Sequence, residues 1–312
     1  MKAIKRFAYT ACLFICFASC GDSIDSLSPD LESSNTLKSF TQIKATVDEP
    51  PTTRAYMGNG RQISWYEGDE IGVYSDTQGV ERFTRSTALG ENAFQGNKMV
   101  GNQFFAYFPF MDGVNYVDET DKRIIHCQLA NAWIGGEQGS FIKAPMVAKS
   151  SDNNFLFKPT YGLIHFQLTG SLKLTGINLT TVGNEVFNGN GYVDLSIDNP
   201  VFTIKQSSGK SSFDCPMPDK GYFQLEQESI TDVYFALPVG IYEQGFKMTL
   251  AYLKDNNEES SVVKTTEKQY MVHRAEVLKF STVNVDELVE LDEPMIIGFD
   301  PSASGVNPGN IN

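Results

Sequence analysis

Ile63-Ser64-Trp65-Tyr66-Glu67-Gly68-Asp69-Glu70-Ile71-Gly72-Val73-Tyr74 holds two short apolar stretches around a polar turn. Ile63-Ser64-Trp65 and Ile71-Gly72-Val73-Tyr74 have the β-branched and aromatic content of strands, and Gly68 and Asp69 supply the turn between them. The same pattern recurs along the chain. Phe104 to Phe110, Arg123 to Leu129, Ala144 to Lys149, Phe155 to Pro159, Gly162 to Leu168, Leu174 to Val182 and Tyr192 to Ile197 all read as short strands. So do Val201 to Lys205, Tyr222 to Leu225, Asp232 to Leu237, Phe246 to Lys254 and Glu276 to Val283. No long segment keeps a 3.6-residue apolar period. Many short strands with turns between them predict an all-β chain of β-sandwiches.

Outward from this core pattern, Phe40 to Val47 is the first strand. Ile43, Ala45 and Val47 face one way, and Gln42, Lys44 and Thr46 the other, the period of a half-buried strand. Asp48 to Arg54 follows as an exposed loop whose Pro50 and Pro51 block ladder pairing. The polar cluster Lys149-Ser150-Ser151-Asp152-Asn153-Asn154 suits a linker, so two domains are expected, 37–150 and 151–287. Removing residues 1–19 leaves 293 residues, more than one ordinary sandwich. The remainder, 288–312, reads as a tail. In it Met295, Ile297 and Phe299 alternate with Ile296, Gly298 and Asp300, ahead of a stretch rich in Ser, Gly, Asn and Pro.

The N-terminus has its own logic. Lys2, Lys5 and Arg6 precede an apolar run from Phe7 to Phe17, then Ala18-Ser19-Cys20. A basic region, a short apolar region and small residues before a cysteine predict a lipoprotein signal cut between Ser19 and Cys20. Cys20 then carries lipid. The apolar run is shorter than the ~20 residues of a spanning helix. Residues 20–36, rich in Ser, Asp and Pro, read as a flexible tether. The mature chain is then expected to begin at Cys20, acylated and outside the cytoplasm of a bacterium.

Charge and chemistry narrow the classes. The net charge of −13 becomes −16 once Lys2, Lys5 and Arg6 leave with the signal, which argues against nucleic acid as a partner. Cys127 and Cys215 are the cysteines left for the body, read as two separate buried thiols, with a disulfide as the alternative. His126, His165 and His273 show no metal-ligand spacing; His165 falls on the polar side of its strand, and structural or surface roles are expected for all three. Asp118-Glu119-Thr120-Asp121 and Asp255-Asn256-Asn257-Glu258-Glu259 read as solvated loops, the second a hairpin turn, with weak calcium binding as the other reading. Trp65 reads as core, although Trp65 and Trp133 have the rings to stack on sugars. No catalytic residues, metal or cofactor are expected, and the chain does not read as an enzyme. Its carboxylates are too scattered for a glycosidase pair.

Several segments together resemble the fimbrillin family, the Mfa-like lipoproteins of anaerobic Gram-negative bacteria. They are the Cys20 lipobox, Thr53-Arg54-Ala55, the Ile63–Tyr74 stretch, Phe105-Ala106-Tyr107-Phe108-Pro109, Ala144-Pro145-Met146-Val147-Ala148 and Phe235-Ala236-Leu237-Pro238-Val239-Gly240-Ile241-Tyr242. The resemblance implies two transthyretin-like β-sandwich domains in tandem and a structural role in type V pili. It implies cleavage between Arg54 and Ala55 by an arginine-specific protease. The first strand is then lost, and the groove is filled by a donor strand, here Met295, Ile297 and Phe299, from another fimbrial subunit. The alternative is a non-polymerising surface lipoprotein or tip adhesin that binds a host glycan or protein.

Overall fold

The structure, a computed structural model, describes residues 37–48, 65–129, 132–134, 144–266, 268–291 and 295–296. The described residues all fall within one compact unit, Leu37–Asn312; Met1–Thr36 lie outside the described residues. The signal region, Cys20, the tether, Arg54 and Ala55 therefore lie outside the described residues.

The chain is all-β. Among the described residues it runs β1 (Lys38–Val47), β2 (Glu70–Ser75), β3 (Glu81–Arg85), β4 (Ala93–Gly101), β5 (Phe104–Phe108), β6 (Tyr116–Val117), β7 (Ile124–Leu129), β8 (Ala132–Ile134), β9 (Met146–Ser150) and β10 (Asn154–Pro159). Then come β11 (Gly162–Thr169), β12 (Lys173–Thr181), β13 (Gly189–Asp194), β14 (Phe202–Ile204), β15 (Ser212–Asp214), β16 (Phe223–Gln224), β17 (Thr231–Leu237), β18 (Gly240–Tyr242), β19 (Phe246–Leu253) and β20 (Glu259–Thr265). The chain closes with β21 (Tyr270–Val272), β22 (Val277–Lys279), β23 (Val283–Asn284), a short helix α1 (Val285–Leu291) and β24 (Met295–Ile296).

β1, β10, β9, β5, β2, β3 and β4 close on themselves as a barrel. Residues 151–153 form the tight turn between β9 and β10, which pair antiparallel. Beyond the barrel, β6, β7, β13 and β14 form one sheet; β8, β17, β11 and β22 form another; and β15, β12, β19, β20 and β24 a third. The expected hairpin at Asp255–Asn257 is present between β19 and β20, with Asn257 at φ 62° and its N–H on the Lys254 carbonyl.

Two apolar cores result. The first fills the barrel with Ile43, Ala45, Trp65, Phe83, Phe94 and Phe157 among others, and reaches on to Ile125, Cys127 and Val193. The second lies between the β11–β17 sheet and the β12–β19 sheet, and takes Leu288 of α1. β11 and β17 border both. Ile164, Phe166, Val233 and Phe235 point into the second core, while Leu163, Tyr234 and Ala236 join the first. Strands covered on both faces lose their polar side. That corrects the reading of His165: its face is not the solvent side, and the ring is 3% exposed, stacked on Tyr234 at 4.2 Å.

Candidate functional site

β1 is the seam of the barrel. It pairs parallel with β10, Lys44 opposite Asn154 through Val47 opposite Phe157. On its other side it pairs antiparallel with β4, from Lys38 opposite Gly101 to Lys44 opposite Ala93. Ile43 and Ala45 are buried, as the alternation predicts, while Gln42 and Lys44 are exposed. Strict alternation would put Phe40, an odd number of residues from Ile43, on the opposite face, yet its ring packs on the core. The β1–β4 register shifts between Phe40 and Gln42, and the ring packs against Phe83, Phe104 and Phe155, with its centroid 4.6 Å from that of Phe104. Irregular pairing of this kind re-aims a side chain.

Trp65 fastens the seam from within. It precedes the Tyr66–Asp69 turn in a stretch that is not strand, which corrects the reading of Ile63-Ser64-Trp65 as one as far as Trp65 is concerned; Ile63 and Ser64 lie outside the described residues. The reason is visible in its bonding. The ladder to β4 runs out at Ala45, whose N–H donates to the Asn92 carbonyl. The Ala45 carbonyl then takes the Trp65 indole N–H at 2.7 Å, so the side chain completes what the β4 backbone leaves open. Trp65 is buried, as expected, edge-on to Phe94, Phe108 and Phe157 at 5.1–5.2 Å.

Without β1 the barrel becomes an open sheet with β10 and β4 as edges. β1 is parallel to one and antiparallel to the other, so those edges run opposite ways. A strand entering the gap in either direction would make one parallel and one antiparallel ladder. Ten residues of β1 mark a groove about 33 Å long at ~3.3 Å per residue.

The tail segment is placed only in part. Met295 and Ile296 form β24, parallel to β20 of their own chain, opposite Lys264 and Thr265. Ile297 and Phe299 lie outside the described residues. Lys264 is buried at that edge, and burial holds its ammonium below the ordinary lysine range. The structure does not bring Met295 and β1 together in one sheet.

No protein-family profile matches this chain, and no curated protein sequence matches it. Solved structures do. A candidate cell adhesion protein from Bacteroides ovatus matches with TM-score 0.51 and 12% identity, over 83% of this chain and 95% of that one. This chain has the fold of that protein. A candidate cell adhesion protein from Bacteroides uniformis matches with TM-score 0.46 and 11% identity, over 78% and 91% of the two chains. One from Bacteroides fragilis gives 0.44 and 7%, over 78% and 92%.

His165 and His126 take structural roles. His165 Nε2 donates to Asp232 Oδ1 at 2.7 Å, and Gln167 donates to the same oxygen. Burial alone would raise the Asp232 carboxyl; these two donors, together with the nearby Lys279 charge, outweigh it and hold the group below the usual carboxylate range. His126 bonds Asp118 at 2.9 Å across the β6–β7 turn. Asp118 Oδ1 accepts from the Thr120 hydroxyl and from the N–H groups of Thr120 and Asp121, which keeps its carboxyl well below the usual range. The acidic run is thus a capped turn. Among the described residues no three His, Cys, Asp or Glu converge as metal ligands.

Cys127 and Cys215 are free, buried and in different cores, as two separate thiols. Burial pushes each thiol up to about 12. The thiolate is the reactive form. At pH 8 a thiol reagent is therefore expected to find neither until urea is added, and then both. Labelling of either cysteine in the native chain would contradict the packing.

Proposed function

We propose that this chain is a structural subunit of a cell-surface fimbria, exported as a lipoprotein precursor and assembled by protease-triggered strand exchange in support of adhesion. The observation that carries the reading is the position of β1. It is the first strand among the described residues, it closes a barrel, and its apolar side chains complete a core that the other six strands already enclose. Cutting between Arg54 and Ala55 would sever its covalent link to the rest of the barrel, leaving non-covalent contacts to hold it. The incoming strand would supply backbone bonds along both edges and apolar residues for the vacated positions. Ile43, Ala45 and Val47 are spaced two apart, and Met295, Ile297 and Phe299 repeat that spacing. The fold shared with a candidate cell adhesion protein agrees with this reading. Lipid on Cys20, the outer-membrane location and a division into two sandwich domains belong to the same proposal.

One observation favours a second reading, a surface lipoprotein or tip adhesin that never polymerises: Met295 and Ile296 pair with their own chain. Intact mass and N-terminal sequencing of membrane and sheared-surface fractions separate the two. The subunit reading expects a start at Ala55 in the sheared fraction. A lipidated start at Cys20 in every fraction would favour the second.

A further inference from the structure

The loop that carries Arg54 is not the sole restraint on the end of β1. Asp48 is the last described residue before it, and its N–H donates to the Phe157 carbonyl at 2.7 Å. Its carboxylate Oδ2 lies 3.8 Å from Arg274 Nη2, with the two side chains 29% and 19% exposed. Arg274 Nη1 donates to the Pro159 carbonyl at 3.2 Å. One guanidinium therefore spans the open end of the β1–β10 ladder, holding the terminal carboxylate of one strand and the terminal carbonyl of the other.

The turn that presents Arg274 is itself fixed. It joins β21, which packs into the second core through Tyr270 and Val272, to β22, which runs parallel to β11. Ala275 sits at φ 60°, a conformation costly for a residue with a Cβ, and its N–H is tied to the Tyr161 carbonyl at 2.7 Å. Leu163 N–H returns to the Glu276 carbonyl at 2.8 Å. Strained backbone held on both sides places the arginine rather than letting it wander. Arginine suits the post, since its planar fork donates to the Pro159 carbonyl from one nitrogen while the other turns its charge to the Asp48 carboxylate.

We infer that Arg274 is a latch on the first strand: it holds the Asp48 end of β1 against β10 after the loop is cut, and sets how fast β1 leaves. This rests on the strand-exchange reading and adds its regulation. The latch links release of β1 in the barrel to the integrity of the second core, since the turn depends on β21 and β11.

The test uses the mature chain cut with an arginine-specific endoprotease, the cut confirmed by mass. Loss of the fragment ending at Arg54 is followed by native mass spectrometry, in buffer and at the lowest urea concentration that frees it from the wild type. Asp48→Asn and Arg274→Gln are each expected to speed release about three- to tenfold, as loss of a partly exposed ion pair and its bond does. The double variant is expected to be no faster than the faster single one, because both remove the same link. Arg274→Lys, which keeps the charge and loses the fork, is expected to fall between. Unchanged rates in both single variants, or rates that multiply in the double, would overturn the latch. A wild-type fragment that never leaves in buffer would count against strand exchange instead, and the variants compared in urea would still decide the latch. If Arg274→Gln fails to fold, Asp48→Asn and Arg274→Lys carry the comparison.

Discussion

Trp65→Ala is expected to lower stability by about 3–5 kcal/mol, the cost of removing a large aromatic side chain from a packed core. The indole sits among Phe94, Phe108 and Phe157 in edge-to-face contacts, so its removal leaves a cavity lined by rings that sheet backbone holds in place. It also leaves the Ala45 carbonyl without its indole donor, adding about 1 kcal/mol. Domains carry roughly 5–15 kcal/mol in total, so this one change takes a large share. The loss is concentrated at the seam, and β1 should loosen before the second core does. Urea titration followed by near-ultraviolet signal measures the cost. Hydrogen exchange at Ile43 and Ala45 shows where it falls. Trp65→Phe separates the two contributions, keeping most of the packing and losing the N–H, at about 1–3 kcal/mol. A Trp65→Ala chain with an unchanged urea midpoint would refute the account of the seam.

Arg54→Ala is expected to remove assembly altogether while leaving the monomer as stable as before. An uncut loop keeps β1 tethered beside its own groove. A tethered strand competes at an effective concentration in the millimolar range, which a donor from solution does not match. β1 also holds its place through two ladders and four apolar side chains, Phe40, Ile43, Ala45 and Val47. A substitution in a polar loop usually changes stability by no more than about 0.5 kcal/mol. The expected product is therefore a folded chain that starts at Cys20, with no Ala55 start and no high-mass polymer on native gels. Polymers that persist in Arg54→Ala would remove this cleavage from the mechanism.

How far the sequence could be read depended on whether each strand's own residues carried its signal. β2, β5, β7, β10 and β17 were legible because their apolar and aromatic content is dense. β4 was not. Within Ala93–Gly101, Phe94 and Met99 are the large buried side chains, and Gly96, Asn97 and Lys98 interrupt them, although β4 is the partner that β1 uses most. Gly96 is there because a Cβ would fall 2.6 Å from both the Arg82 carbonyl and the Phe83 ring. Such a constraint comes from a neighbouring strand and leaves no local pattern. α1 was missed for another reason: seven residues are too few to display a helical period.

The candidate site divides in the same way. The alternation of Ile43, Ala45 and Val47 and the core role of Trp65 are properties of side-chain order, so the amino-acid sequence determined them. The inward turn of Phe40, the indole bond to Ala45, the burial of His165 and the reach of Arg274 to Asp48 are not. Each joins residues set apart in the chain through a register shift, a ladder end, a second covered face or a fixed turn. Sequence order dictates which face of a strand a residue occupies; what covers that face, and which residue stands at the strand's end, is decided when the sheets close.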